Sequence, residues 1–325
     1  MSRMTDTTTT PAAAESGNSL TVMLAFGANF LIAVAKTVVA FLTGSAAMVA
    51  EAAHSWADTG NEVFLLIGER RSQRAPDPSH PLGYGRSGYV WSMFAAFGLF
   101  AVGSAVSVWH GIQSLNAPEE ETSYFWAYVV LAVAFVLEGT SFLQALREAR
   151  TGAAERHQSI LAHVKTTSNP VLRSVFVEDS LALVGLIIAA LGLFLHQETG
   201  HPVWDAIASI LVGVVLGVGA ILLISRNARF LTGEATSERG RNYLLGLILG
   251  HPNVESVSLL HTEWVGADQI LVIAAVDLVG DVPESQLQVL LQEVEDRIES
   301  ESEVSRAILG LTNPRNADRL TVEGS

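Results

Sequence analysis

His54 and Asp58 stand one helical turn apart in the run Ser45-Ala-Ala-Met-Val-Ala-Glu51-Ala-Ala-His54-Ser-Trp-Ala-Asp58-Thr-Gly-Asn61-Glu62, which continues into the apolar Val-Phe-Leu-Leu-Ile. At i and i+4 an imidazole and a carboxylate share a helical face, and two such groups converging on one point can begin a divalent-metal site. Glu51, Asn61 and Glu62 lie on the same face. An ionisable group inside a membrane-spanning helix costs roughly 3 kcal/mol or more unless it meets a partner or a water-filled cavity. A second acidic pair, Glu178-Asp179, opens another apolar run. Asp179 set opposite His54 and Asp58 would give one imidazole and two carboxylates. That set binds Zn²⁺ tetrahedrally with one position open, suits Mn²⁺ or Fe²⁺ if more oxygens join, and is compatible with Co²⁺ and Cd²⁺. Carboxylates around an ion also take up protons when it leaves, which couples metal movement to protons. A lone histidine in an apolar helix is more often an interhelical hydrogen bond than a ligand. The spacing to Asp58 and the second acidic pair weigh the reading toward a transported ion.

The elements that must position these groups are membrane helices. The chain has 325 residues, 49% of them hydrophobic and 16% charged, with a mean hydropathy of +0.36. Its apolar residues fall in blocks of about 20, enough to cross hydrocarbon. Six such segments are predicted, at 20–42, 46–68, 88–113, 123–146, 172–195 and 203–225. Arg70, Arg71, Arg74 and Arg86 follow the second segment, Arg147, Arg150, Arg156, Lys165 and Arg173 follow the fourth, and Arg226 and Arg229 follow the sixth. The opposite loops hold no Lys or Arg, and one carries Glu119-Glu120-Glu121. The positive-inside rule then places both termini in the cytoplasm, in a cell membrane. Residues 1–18 read as an unstructured lead without the basic start of a signal peptide. Residues 19–230 form the membrane domain.

Residues 233–325 carry 16 Asp/Glu against 6 Lys/Arg, most of the net charge of −14. Such acidity excludes nucleic-acid binding. The stretch 233–313 alternates as a helix at 236–250, strands at 254–265 and 269–279 around the turn Gly266-Ala267-Asp268, a helix from Pro283 to about 302, and a strand at 304–311. That is an α-β-β-α-β order, a small cytoplasmic α+β domain of ferredoxin-like type, followed by a tail at 314–325. The fold class expected is therefore a six-helix transmembrane bundle with this domain at its C-terminal end. With no cysteine, metal ligands are confined to His, carboxylate, amide, backbone or water. Asn29, Glu138 and Glu178 are further intramembrane polar groups that could complete the site. Lys36 is expected to neutralise a carboxylate or to snorkel, Asp205 to act as a helix cap or an interface group, and Glu51 and Glu62 to lie near helix ends. No resident cofactor and no catalysis are expected. The other readings are a proton-coupled organic-cation transporter, a membrane-anchored interaction scaffold and an intramembrane metallohydrolase. The last lacks a His-Glu-x-x-His motif.

Gly44-Ser-Ala-Ala-Met-Val-Ala-Glu-Ala-Ala-His54-Ser-Trp-Ala-Asp58, the loop Pro76-Asp77-Pro78-Ser79-His80-Pro81-Leu82-Gly83-Tyr84-Gly85, and Glu178-Asp179-Ser180 together resemble the cation diffusion facilitator family over residues 20 to about 313. The pattern looks most like the branch that includes mitochondrial-type zinc transporters. The resemblance implies a homodimeric exchanger that moves Zn²⁺ or a related ion against protons by alternating access. His54 and Asp58 match the first ligand pair and Asp179 the last ligand of the second pair. Val175 stands where that second pair has its other ligand; water, Asn29, Glu178 or Glu138 could take its place. In the loop site of related exporters Tyr84 replaces a histidine beside Asp77. Ala275, Gly310 and Thr312 replace ligands of the cytoplasmic binuclear site, where His261 and Glu263 remain. The cytoplasmic domain is therefore expected to dimerise without sensing metal.

Overall fold

A computed structural model describes residues 12–116, 123–312 and 319–322. Residues 1–11 of the expected lead and the triplet Glu119-Glu120-Glu121 lie outside the described residues. Helix α1 spans Ala12–Thr43, so residues 12–18 are helical rather than unstructured. Three alanines and a glutamate, strong helix formers, open that stretch and run straight into the apolar segment. Gly44, at φ +64°, ends α1 in the left-handed conformation that glycine adopts without strain. Ser45 then starts α2 (Ala46–Ser72), its hydroxyl accepting from the Met48 N–H at 3.1 Å.

The next span is continuous from Ser87 to Ser114. It comprises α3 (Ser87–Gly98), a π-helical stretch (Leu99–Ser104) and α4 (Ala105–Ser114). It is followed by α5 (Phe125–Glu155), the short α6 (Ile160–Thr166), α7 (Pro170–Thr199) and α8 (Val203–Leu231). Helix α7 begins with proline at its first position, and the Asn169 side chain accepts from the Val171 and Leu172 N–H groups. That earlier start moves Arg173 out of the loop and into the helix. There it is buried, donating to the Thr167 carbonyl and to Asn227 Oδ1.

Five helices among the described residues are long and apolar enough to cross a membrane, where six were expected. Helix α2 has the length, 27 residues. Its carboxylates keep its composition below that of an apolar span.

The chain divides into two units. The first holds residues 1–63, 97–144 and 177–220. Its core is built from small residues, with Ala33, Ala47, Ala50, Ala127, Ala134 and Ala189 all fully buried beside Met48, Leu99, Leu193, Val212 and Leu216. Small side chains let helix backbones approach closely. At Gly213 on α8 a Cβ would lie 2.9 Å from the Ser104 carbonyl oxygen, so the contact requires glycine.

The second unit holds residues 64–96, 145–176 and 221–325. It contains α9 (Glu238–Leu249), β1 (Val254–Gly266), β2 (Gln269–Leu278), α10 (Glu284–Glu299) and β3 (Val304–Leu311). The sheet order is β1-β2-β3. β1 and β2 are antiparallel, joined at the turn that includes Asp268 at φ +52°, and β2 and β3 are parallel. The expected α-β-β-α-β order is present as a small mixed-sheet domain. Val257, Val272 and Val276 from the sheet, Leu245 and Ile248 from α9, and Val294 and Ile298 from α10 form its core. The helical period of 3.6 puts Val294 and Ile298 on that face, with Leu287, Leu290 and Leu291 partly buried against it.

Candidate metal site

The polar groups of the first unit are held by α2 and by the helices packed against it. Asp205 on α8 fixes the start of α2: its carboxylate accepts from the Ser45 hydroxyl at 2.8 Å and from the Ala46 and Ala47 N–H groups. These are donors that the first turn of a helix leaves without partners, and a negative charge there also suits the helix dipole. Asp205 is thus a cap, as expected, though of α2 rather than of its own helix. One turn into α2, Glu51 is fully buried and accepts from Lys36 of α1 at 2.9 Å, with both side chains excluded from solvent. Glu51 is therefore an interior ion-pair partner and not a helix-end group. Helix α7 approaches here as well: a Cβ at Gly185 would lie 2.9 Å from Glu51 Oε1.

His54 follows on the same face and is completely buried. Its Nδ1 is 3.4 Å from Asp58 Oδ1, but the pair lacks hydrogen-bond geometry. Both ring nitrogens of His54 and Asp58 Oδ1 are buried without a hydrogen-bond partner. One turn further, Asn61 is hydrogen-bonded to Glu178 of α7. Glu178 is buried, and its Oε1 has no partner. Beside it, Asp179 accepts from the Ser141 hydroxyl of α5 at 2.7 Å. Asp58 lies within electrostatic reach of Glu138, Glu178, Lys36 and Asp179. Asn29 donates to Glu62, whose other oxygen is left without a partner.

The structure thus brings His54 and Asp58 together on α2, and Glu178 and Asp179 on the neighbouring α7. It ties Asn29 to Glu62 and sets Glu138 within the field of Asp58. Among the described residues no three His, Asp or Glu side chains stand as a set that could hold a metal ion. They stand instead as two pairs, His54 with Asp58 on α2 and Glu178 with Asp179 on α7, the second within electrostatic reach of Asp58. Ser141 was not among the residues singled out from sequence. A hydroxyl at i+3 from the intramembrane Glu138 was the signal that could have found it.

The remaining sequence candidates are engaged elsewhere, in the second unit. Asp77 accepts from the Ser79 hydroxyl and N–H, from the His80 N–H, and from the Tyr84 hydroxyl at 2.8 Å. The hydrogen bonds from Ser79 and Tyr84 hold its carboxyl well below the usual carboxylate range. Tyr84, standing at the histidine position, therefore closes a loop around Asp77. Glu263 pairs with Arg86 and lies 3.3 Å from His261 Nε2.

Long apolar helices enclosing buried imidazole and carboxylate atoms without partners define a membrane transport protein rather than a soluble enzyme. Residues 22–232 match the cation efflux transmembrane domain, and the chain belongs to the cation efflux, or cation diffusion facilitator, family. The mouse protein named proton-coupled zinc antiporter SLC30A9, mitochondrial, is 34% identical over 266 residues, 82% of this chain and 47% of that protein. Metal tolerance protein C4 of Arabidopsis thaliana is 34% identical over 261 residues, 80% of this chain and 57% of its own length. Zinc transporter ZitB of Yersinia pestis is 26% identical over 294 residues, 90% of this chain and 87% of that protein. The chain spans about half the length of the first two relatives. The expected resemblance to mitochondrial-type zinc transporters agrees with these matches.

Proposed function

We propose that the chain is a divalent-cation exporter, with Zn²⁺ as its principal cargo, that exchanges metal for protons by alternating access. The observation that carries this reading is the set of buried atoms without partners on two adjacent helices: His54 Nδ1 and Nε2, Asp58 Oδ1 and Glu178 Oε1. Leaving a buried polar atom unpaired costs about 1–3 kcal/mol, more if charged, and a metal ion satisfies several at once. His54, Asp58 and Asp179 are the ligands, and Glu178 supplies the fourth donor where Val175 cannot. Because the two pairs are separate, the ion draws α2 and α7 together as it binds. Binding and conformational change are then one event, as a ligand-shifted equilibrium requires. Protons compete with metal for the same imidazole and carboxylates, so affinity falls as pH drops.

Helix α2 serves as the sixth span, stabilised among its neighbours rather than by its own hydropathy. The mixed-sheet domain is a cytoplasmic, ferredoxin-like unit that joins two copies into a homodimer. Both termini are cytoplasmic, and the host is a cell membrane. The names of the relatives, a proton-coupled zinc antiporter and a zinc transporter, favour zinc over Mn²⁺, Fe²⁺, Co²⁺ or Cd²⁺. The test is transport in proteoliposomes with a pH-sensitive dye inside. A Zn²⁺ gradient should drive opposing proton flux, and Asp58→Ala or Asp179→Ala should abolish it. Wild-type flux in either variant overturns the ligand assignment.

A further inference from the structure

We infer that Ser141 is a positioning residue that sets the coordination mode of Asp179, and through it the metal preference of the transporter. The inference rests on the reading of Asp179 as a ligand. The Ser141 hydroxyl on α5 donates to Asp179 Oδ2 at 2.7 Å across 38 residues of sequence. Both side chains are half-buried, and both belong to the first unit. A carboxylate on a two-bond stem rotates freely unless something holds it. Here one oxygen is held by an interhelical O–H donor, a charge-assisted bond of the stronger kind. The held oxygen is also less basic, so Oδ1 is the oxygen presented to an ion.

Asp179 then binds through one oxygen. One-oxygen coordination suits a small ion with four ligands, whereas larger ions with higher coordination numbers gain from carboxylates that bind through both oxygens, as Ca²⁺ does. Cd²⁺ is larger than Zn²⁺ and accepts that mode. Ser141 therefore acts on which ion is held, without touching the ion. Outer groups of this kind commonly change metal affinity by about 10- to 100-fold.

The experiment compares wild type, Ser141→Ala, Ser141→Thr and Asp179→Asn in proteoliposomes, reading KM and kcat separately for Zn²⁺ and Cd²⁺. Ser141→Ala should raise the Zn²⁺ KM about 10-fold while kcat stays within about 2-fold, and the KM ratio should shift toward Cd²⁺. Ser141→Thr keeps the hydroxyl and should restore both. An unchanged Zn²⁺ KM and ratio in Ser141→Ala overturns the inference. So does an equal loss for both ions that threonine fails to restore, because that is the mark of a packing defect. Wild-type transport by Asp179→Asn would instead overturn the ligand reading itself, whatever Ser141 does.

Discussion

Replacing Lys36 by methionine should destabilise the protein far more than a surface substitution. Lys36 and Glu51 are both fully buried, and the ammonium donates to Glu51 Oε2 at 2.9 Å. The other oxygen of Glu51 has no partner in the wild type. Lys36 also sits in the field of Glu138 and Asp58, so its removal leaves three carboxylates facing one another without the cation between them. Breaking a buried pair by removing one partner costs about 3–5 kcal/mol, whereas replacing both partners by apolar groups of similar volume is often neutral or stabilising. Here the upper half of that range applies, because the orphaned charge has neighbours of the same sign. With about 2–4 °C per kcal/mol for a mid-sized domain, Lys36→Met should lower Tm by roughly 10 °C. The double change Lys36→Met/Glu51→Leu should recover most of the loss. Tryptophan-fluorescence melting in detergent micelles measures all three proteins. A single variant melting within about 1 °C of wild type, or a double variant less stable than the single, would refute the argument that Glu51 depends on Lys36.

Asp205→Ala removes the acceptor of the Ser45 hydroxyl and of two N–H groups that open α2. A lost helix cap costs about 1–2 kcal/mol, so amides 46–48 should exchange faster by hydrogen-exchange mass spectrometry; unchanged exchange would remove Asp205 from the capping role. Asp77→Ala should release the loop around Tyr84. Since the folded carboxyl sits below its ordinary range, its contribution is present at and above ordinary carboxylate pKa values and is lost only as pH falls through the lowered one. Exchange at the Ser79 and His80 amides should therefore stay slow in wild type at pH 4 and be fast in the variant. The His163 imidazole is pushed down by burial and by the Arg156 guanidinium beside it. It folds neutral, so its contribution is full above the unfolded value of about 6.5 and declines as pH drops below it. His163→Gln should flatten the fall in Tm between pH 7 and 5, and an identical slope would show that His163 does not carry that dependence.

The polar face of α2 was legible because helical period and bilayer cost are both local properties of a sequence. The tail domain was legible for the same reason: alternation, the Gly266-Ala267-Asp268 turn and the period of Leu287 to Ile298 each lie within one element. What escaped depends on partners far away in sequence. Asp205 showed its capping character but not that it caps α2, 160 residues earlier than itself. Arg173 read as a loop charge and is an interior donor to Asn227, because Asn169-Pro170 starts α7 sooner than hydropathy alone implied. Glu51 looked like a helix-end carboxylate until Lys36 closed on it. Asn29 was a candidate ligand, and its amide is used on Glu62. Composition also sets α2 apart: among the described residues, the helix that carries His54 and Asp58 is long but falls short of an apolar span.

In the proposed function, His54 and carboxylates from α2 and α7 jointly hold the transported ion. X-ray absorption spectroscopy of the detergent-solubilised protein loaded with one equivalent of Zn²⁺ tests it most directly. That ligand set gives one imidazole and three oxygen donors at about 2.0–2.2 Å, with the imidazole scattering lost in His54→Ala and the oxygen count reduced in Asp179→Ala. A wild-type spectrum with oxygen donors alone, or imidazole scattering that survives in His54→Ala, would contradict it.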